Sequence, residues 1–145
     1  MLYQLTLGSV VICLTIIVEG LFIAAATTVL PHMSRWLSTG PKHLKSAMTI
    51  IAATLWLLLA HTIAVWMWAI VFLWLGTFDT LEPALYFSIV SFTTLGFGDI
   101  ILPVETRLLS GMSAANGLIV IGLSTAFLVE FLIRLRKTMW EPIRK

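Results

Sequence analysis

Hydrophobic residues along this chain gather into three long runs and one short one. The first long run, Leu5 to Leu30, is interrupted only by Glu19 and Gly20, and Pro31 closes it. The second, Ser46 to Leu75, carries no formal charge, and His61 is its one ionisable group. The third, Leu108 to Ile133, has Glu130 as its only charge. A helix needs about 20 mostly apolar residues to cross a bilayer, so each run predicts a spanning helix. The first is not expected to be a signal peptide, because it lacks a basic n-region and its apolar stretch is too long.

The segment between the second and third runs has a different pattern. It opens Gly76-Thr77-Phe78-Asp79-Thr80-Leu81-Glu82-Pro83. Pro83 suits the first turn of a helix, with Asp79 or Thr80 as cap and Glu82 near the positive end. Ala84 to Phe92 then reads as a short apolar helix. It is too short to cross a membrane, so it is expected to enter and return. Irregular backbone at membrane depth is tolerated only where protein buries it or water bathes it. Here the returning segment is Thr93 to Asp99.

Composition supports a lipid environment. Hydrophobic residues make up 59% of the 145 residues and charged residues 11%, against about 25% charged in soluble domains. The single cysteine, Cys13, excludes an internal disulfide framework, and no Cys/His cluster has zinc-ligand spacing. Cys13 is expected to be a buried, inert small hydrophobe. Orientation follows from the basic residues. Arg35, Lys42 and Lys45 lie between the first two runs, and Arg134, Arg136, Lys137, Arg144 and Lys145 follow the third. These belong on the cytoplasmic side. The loop with Asp79, Glu82, Asp99 and Glu105 then faces outward, as does the N-terminus, and the C-terminus lies inside. Trp74 suits the outer interface, Trp36 and Trp140 the inner one. His32 and His43 read as interfacial residues. No run carries the spaced arginines of a voltage sensor, and no ligand-binding module is expected in the short tail.

The returning segment has a specific chemistry. A dehydrated cation needs a cage of oxygens, which backbone carbonyls can supply. Successive carbonyls point the same way only if some residues take positive φ, which Gly96 and Gly98 do at little cost. Thr94 adds a hydroxyl at the inner mouth, and the preceding helix aims its negative end at the membrane centre. One segment forms only part of a cage, so a closed ring needs several copies of the chain. A phosphate loop is not expected, because no lysine follows in register.

Thr94-Leu95-Gly96-Phe97-Gly98-Asp99 resembles the Thr-Val-Gly-Tyr-Gly-Asp filter of the potassium channel pore-domain family. Upstream, Ala84-Leu85-Tyr86-Phe87-Ser88 is similar to the family's Ala-Leu-Trp-Trp-Ser. Downstream, Arg107 and Gly117 match the spacing of the family's inner helix and hinge glycine. The resemblance covers the second and third runs with their loop, and small bacterial channels with an extra N-terminal helix look most similar. It implies an all-α integral membrane fold: three transmembrane helices, a re-entrant pore helix and a filter loop, assembled as a homotetramer in the bacterial inner membrane. The chain then divides into an N-terminal transmembrane helix (1–31), a cytoplasmic linker (32–45), a pore domain (46–137) and a cytoplasmic tail (138–145). The implied ion-binding residues are Thr94, Leu95, Gly96, Phe97 and Gly98, with K+ as the permeant ligand held by Thr94 to Phe97 and no other cofactor. Thr93, Asp99 and Tyr86 would support the filter. Gly117 would be the gating hinge, and close helix packing is its other reading. Leu118, Ile121, Thr125 and Val129, spaced to share one helical face, would line the pore.

Departures from the family also matter. Phe87 and Phe97 cannot form the bond that a pore-helix tryptophan gives a filter tyrosine, and Val90 cannot pair with Asp99. Tyr86 is left as the one candidate donor to Asp99. The filter is otherwise expected to be held by packing of Leu95, Phe97 and the pore helix.

Four charged or ionisable residues remain. Glu130 is expected to pair with Arg134, four residues on; its other reading is a place at the inner mouth, where it would concentrate cations. Ionisable groups in the hydrocarbon imply function by default, and Glu19 and His61 both fall near mid-membrane, where they could meet; the other reading is a protonated Glu19 bonded to a threonine or to backbone, with His61 unrelated. The reading is passive K+ conduction. The alternatives are a nonselective monovalent cation channel, a potassium transporter subunit or a nonconducting scaffold. No nucleophile–base constellation suggests an enzyme. A lipid bilayer, with anionic lipids at the cytoplasmic face, is the expected partner, and nucleic acid is not.

Overall fold

In a computed structural model of the chain, residues 1–32 and 41–140 are described. Among them are four helices: α1 (Leu2–His32), α2 (Lys42–Trp74), α3 (Leu81–Phe92) and α4 (Arg107–Trp140). Arg35, Trp36, Arg144 and Lys145 lie outside the described residues, as do the side chains of His32 and Trp140.

Each long helix exceeds what a bilayer requires. At about 1.5 Å per residue, the 33 residues of α2 make a rod well beyond the ~30 Å hydrocarbon core. α2 begins at Lys42, inside the stretch expected as a linker. At its far end Gly76 takes φ 65°. The Gly76 amide bonds Leu73 O at 2.9 Å and the Thr77 amide bonds Phe72 O at 3.0 Å, so a left-handed glycine closes the helix and satisfies its last carbonyls.

α1 and α4 run parallel, and their contacts advance together. Gln4 accepts a hydrogen bond from the Leu108 amide, Gly8 sits against Met112, Thr15 meets Asn116 and Glu19 meets Ser124. The buried positions of α1, namely Gln4, Gly8, Val11, Thr15 and Glu19, are spaced three or four residues apart and share one face. α2 runs the opposite way. Trp56 Nε1 donates to Phe22 O at 2.9 Å, and Ala53 packs with Phe131 and Leu135.

The main core lies where α3 inserts. Trp68 and Phe72 of α2, Phe87 and Phe92 of α3, and Leu109 and Val120 of α4 are buried there with Val11 of α1. The outer surface is apolar, with Val10, Ile17, Leu21, Ile51, Leu55, Leu58 and Ile70 exposed, as lipid solvation requires. Cys13 is exposed, not buried as expected. In lipid an apolar side chain gains little by facing inward, so hydrophobicity did not decide its side.

Candidate functional site

α3 sets the position of everything that follows it. It starts three residues before Ala84, with Thr80 at the N-cap, no side-chain cap bond, and Glu82 in the first turn. Two serines that sequence reasoning did not single out fix it laterally. Ser88 Oγ donates to Val65 O of α2 at 2.6 Å, and Ser91 Oγ donates to Ser110 O of α4 at 2.8 Å. Phe87 turns towards α2, with its ring 5.2 Å from Phe72 and 5.5 Å from Phe78.

The segment after α3 folds back on the helix end. The amides of Thr93, Thr94, Leu95 and Gly96 bond the carbonyls of Ile89, Ser91, Val90 and Val90 at 2.9, 2.9, 3.0 and 3.3 Å. Orphan carbonyls of the last turn are thereby satisfied, and the segment's first four amides are engaged. Thr94, Gly96 and Gly98 have φ of 60°, 55° and 76°. Positive φ thus recurs at every second residue. Alternating the hand of successive residues turns successive carbonyls towards one side, as carbonyl cation sites need. Among the described residues, no hydrogen-bond donor reaches the carbonyls of Thr94 to Gly98. The left-handed Thr94 escaped the sequence reading. The period of two set by the glycines was the signal for it, and a β-branched residue there costs about 1–2 kcal/mol.

Behind this segment Tyr86 Oη donates to Asp99 Oδ2 at 2.6 Å. That hydrogen bond to the Asp99 carboxylate holds the Tyr86 phenol above its usual range. The side chains of Phe87 and Val90 give the segment no polar contact. A cavity of about 370 Å³ opens between α3, the segment and α4, lined by Val90, Ser91, Gly98, Asp99, Arg107 and Ser110 among others. Leu95 and Phe97 are 56% and 65% exposed. The expected packing of these two side chains against α3 is therefore absent within one chain. Both side chains stand exposed beside the alternating backbone.

On α4, Gly117 touches the end of α3. A Cβ there would meet the Phe92 carbonyl oxygen, with the carbonyl carbon at 2.7 Å. α4 continues as one helix through this point. Leu118, Ile121, Thr125 and Val129 are all exposed, while Val120, Ser124, Phe131 and Leu135 face the other helices. Thr125 Oγ1 bonds Ile121 O at 2.8 Å. Near the end of the helix, Arg134 Nε lies 2.7 Å from Glu130 Oε1.

Glu19 and His61 approach each other, with Nε2 3.8 Å from Oε1. Ser124 joins them. Its hydroxyl donates to Glu19 Oε1, and His61 Nε2 lies 2.8 Å from the same hydroxyl oxygen. Ser124 was missed because its partners depend on the register of three helices.

Three long helices, each apolar enough to cross a bilayer, with a short helix and an irregular loop between the second and third, define an integral membrane protein. The sequence pattern of the family described as Ion channel matches residues 47–134, which takes in nearly all of α2, the whole of α3 and its loop, and most of α4. The chain belongs to this family and is a small pore-domain ion channel. No curated protein and no solved structure matches the chain.

Proposed function

We propose that this chain forms a homotetrameric K+ channel in which Thr94, Leu95, Gly96, Phe97 and Gly98 supply the ion-coordinating oxygens. The observation that carries this reading is the positive φ at Thr94, Gly96 and Gly98. It leaves a row of carbonyls without protein donors, a ligand set suited to a hard, dehydrated cation. One segment provides one wall of a cage, so conduction requires a ring of copies. The exposed Leu95 and Phe97 supply apolar surface that neighbouring copies would cover. In the same reading, α3 is a re-entrant pore helix and residues 46–137 form the pore domain. Leu118, Ile121, Thr125 and Val129 line the passage below the filter. The basic residues Arg134, Arg136 and Lys137 favour a cytoplasmic C-terminus, and the parallel course of α1 and α4 then puts the N-terminus outside.

A nonselective cation channel is the second reading. It is favoured by one observation: among the described residues, Tyr86 to Asp99 is the single bond between side chains behind the segment, and a cavity lies beside it. A loosely held carbonyl cage discriminates less between ions. Reversal potentials of the reconstituted protein in opposed K+ and Na+ solutions separate the two readings.

A further inference from the structure

Polar contacts between transmembrane helices are ordinarily neutral. Ser, Thr and Asn suffice to hold helices together in lipid. α1 and α4 already have such a contact, since Asn116 Nδ2 donates to Thr15 Oγ1 at 2.7 Å. One turn further along α1 and two along α4, the same helices carry an ionisable group that this contact does not need. Glu19 is 1% exposed, and its Oε2 has no hydrogen-bond partner. A buried carboxyl group is costly unless it is paired and hydrogen-bonded.

Proton positions follow from the donors. Ser124 has one hydroxyl proton and gives it to Glu19 Oε1. Its oxygen therefore accepts from His61, which places a proton on His61 Nε2. His61 is 20% exposed on its side chain. It lines an open cleft of about 570 Å³ with Phe92 and Thr93 at the base of the filter segment and Ile121 of α4. Glu19 is thus sealed within the bundle, while His61 reaches a largely apolar cleft lined also by Leu58 of α2 and Ile89 of α3. The other titratable groups of the helices packed here lie apart. Cys13 is nearest along α1 and is exposed, Lys45 is nearest along α2, and Glu130 is nearest along α4 and is paired with Arg134. α3 contributes Glu82 and Tyr86, and Tyr86 is bonded to Asp99.

We propose that Glu19, Ser124 and His61 form an intramembrane proton-binding site that sets the position of α4, so that opening of the pore follows pH. The proposal rests on the channel reading for its functional consequence. With His61 carrying protons on both nitrogens and Glu19 ionised, the site is neutral and α1, α2 and α4 are pinned at one point. Loss of the Nδ1 proton as pH rises removes the positive partner. Glu19 is then a net charge in a low-dielectric interior with one hydroxyl donor. Moving α4 away and admitting water relieves that charge. Ser124 lies next to Thr125 on the proposed pore face, so the motion reaches the passage directly.

The test uses full-length protein in planar bilayers and in liposomes. Wild-type open probability is expected to change about tenfold or more between about pH 5 and pH 8. Glu19→Gln and Ser124→Ala are expected to reduce that change to less than about twofold, with unitary conductance and reversal potential unaltered. A Glu19→Gln or Ser124→Ala protein with the wild-type pH profile overturns the proposal, as does a wild type without one. Spin labels at Leu21→Cys and Ile133→Cys, in a Cys13→Ser background with labelled chains diluted by unlabelled ones, read the α1–α4 separation independently of current. The separation should grow as pH rises and be constant in Glu19→Gln. If the protein conducts nothing at any pH, the channel reading fails and this distance alone decides the proton site; a separation that ignores pH then overturns it.

Discussion

Gly117 of α4 lies flush against the backbone carbonyl of Phe92 at the end of α3. This contact joins the helix that carries the candidate filter to the helix proposed to line the pore. It also gives the glycine a role that requires no bending. Gly117→Ala drives a methyl group into backbone, which cannot swing aside as a side chain can. A loss of about 1–3 kcal/mol is expected, as for other overpacked sites, visible as a lower Tm in detergent. Gly122→Ala, where nothing lies within 4 Å, is the control and should leave Tm unchanged. A stable Gly117→Ala protein that fails only to open would assign the glycine to hinge motion instead.

Gly96 and Gly98 have open space around their missing side chains but φ of 55° and 76°. Alanine at either position is therefore strained by backbone conformation and not by collision, by about 1–2 kcal/mol per subunit. Relaxation of the strain turns carbonyls out of line. Gly96→Ala and Gly98→Ala should each abolish selective conduction while the oligomer persists on native gels. K+ over Na+ selectivity equal to wild type in either variant would mean that this segment does not coordinate the ion.

Tyr86→Phe removes the hydroxyl that reaches Asp99 and keeps the ring. Phe87 and Val90 offer no polar substitute, and the cavity behind the segment leaves it room to move. Shorter open dwell times and weaker K+ preference are expected in single-channel recordings with mixed K+ and Na+. Wild-type dwell times and selectivity would show that Tyr86 does not clamp the segment.

Arg134, Arg136 and Lys137 follow the lipid-facing part of α4 directly, and Arg134 shares its charge with Glu130. Basic residues at a membrane surface each contribute about 1 kcal/mol of attraction to anionic lipid. Cation flux should be greater in liposomes containing phosphatidylglycerol than in neutral ones, and added salt should reduce the difference. Equal flux in both would confine these residues to fixing topology.

The three long helices were legible because length and hydropathy alone specify them. Pro83 located α3, although the helix starts earlier because Leu81 and Glu82 fit its first turn. Gly96 and Gly98 marked the left-handed positions. Thr94 did not, since threonine ordinarily resists that conformation and only its neighbours enforce it. The side of the bundle that each apolar residue faces was not legible, as Cys13 illustrates, because lipid and protein interior are equally apolar. The serines were missed for a related reason. Ser88, Ser91 and Ser124 find partners on other helices, and helix register is not written in any local pattern. Packing of Leu95 and Phe97 was expected to help hold the segment, and their exposure in one chain is what a segment completed by other copies would present.

The central claim is that copies of this segment close a K+-selective ring. Native mass spectrometry should give a complex of about 64 kDa, four copies of a 16.1 kDa chain. The most direct measurement is the reversal potential of purified protein in a planar bilayer with KCl on one side and NaCl on the other. Currents that reverse close to the K+ equilibrium potential are expected. Currents that reverse near zero would contradict K+ selectivity, and a bilayer that stays silent with protein inserted would contradict conduction itself.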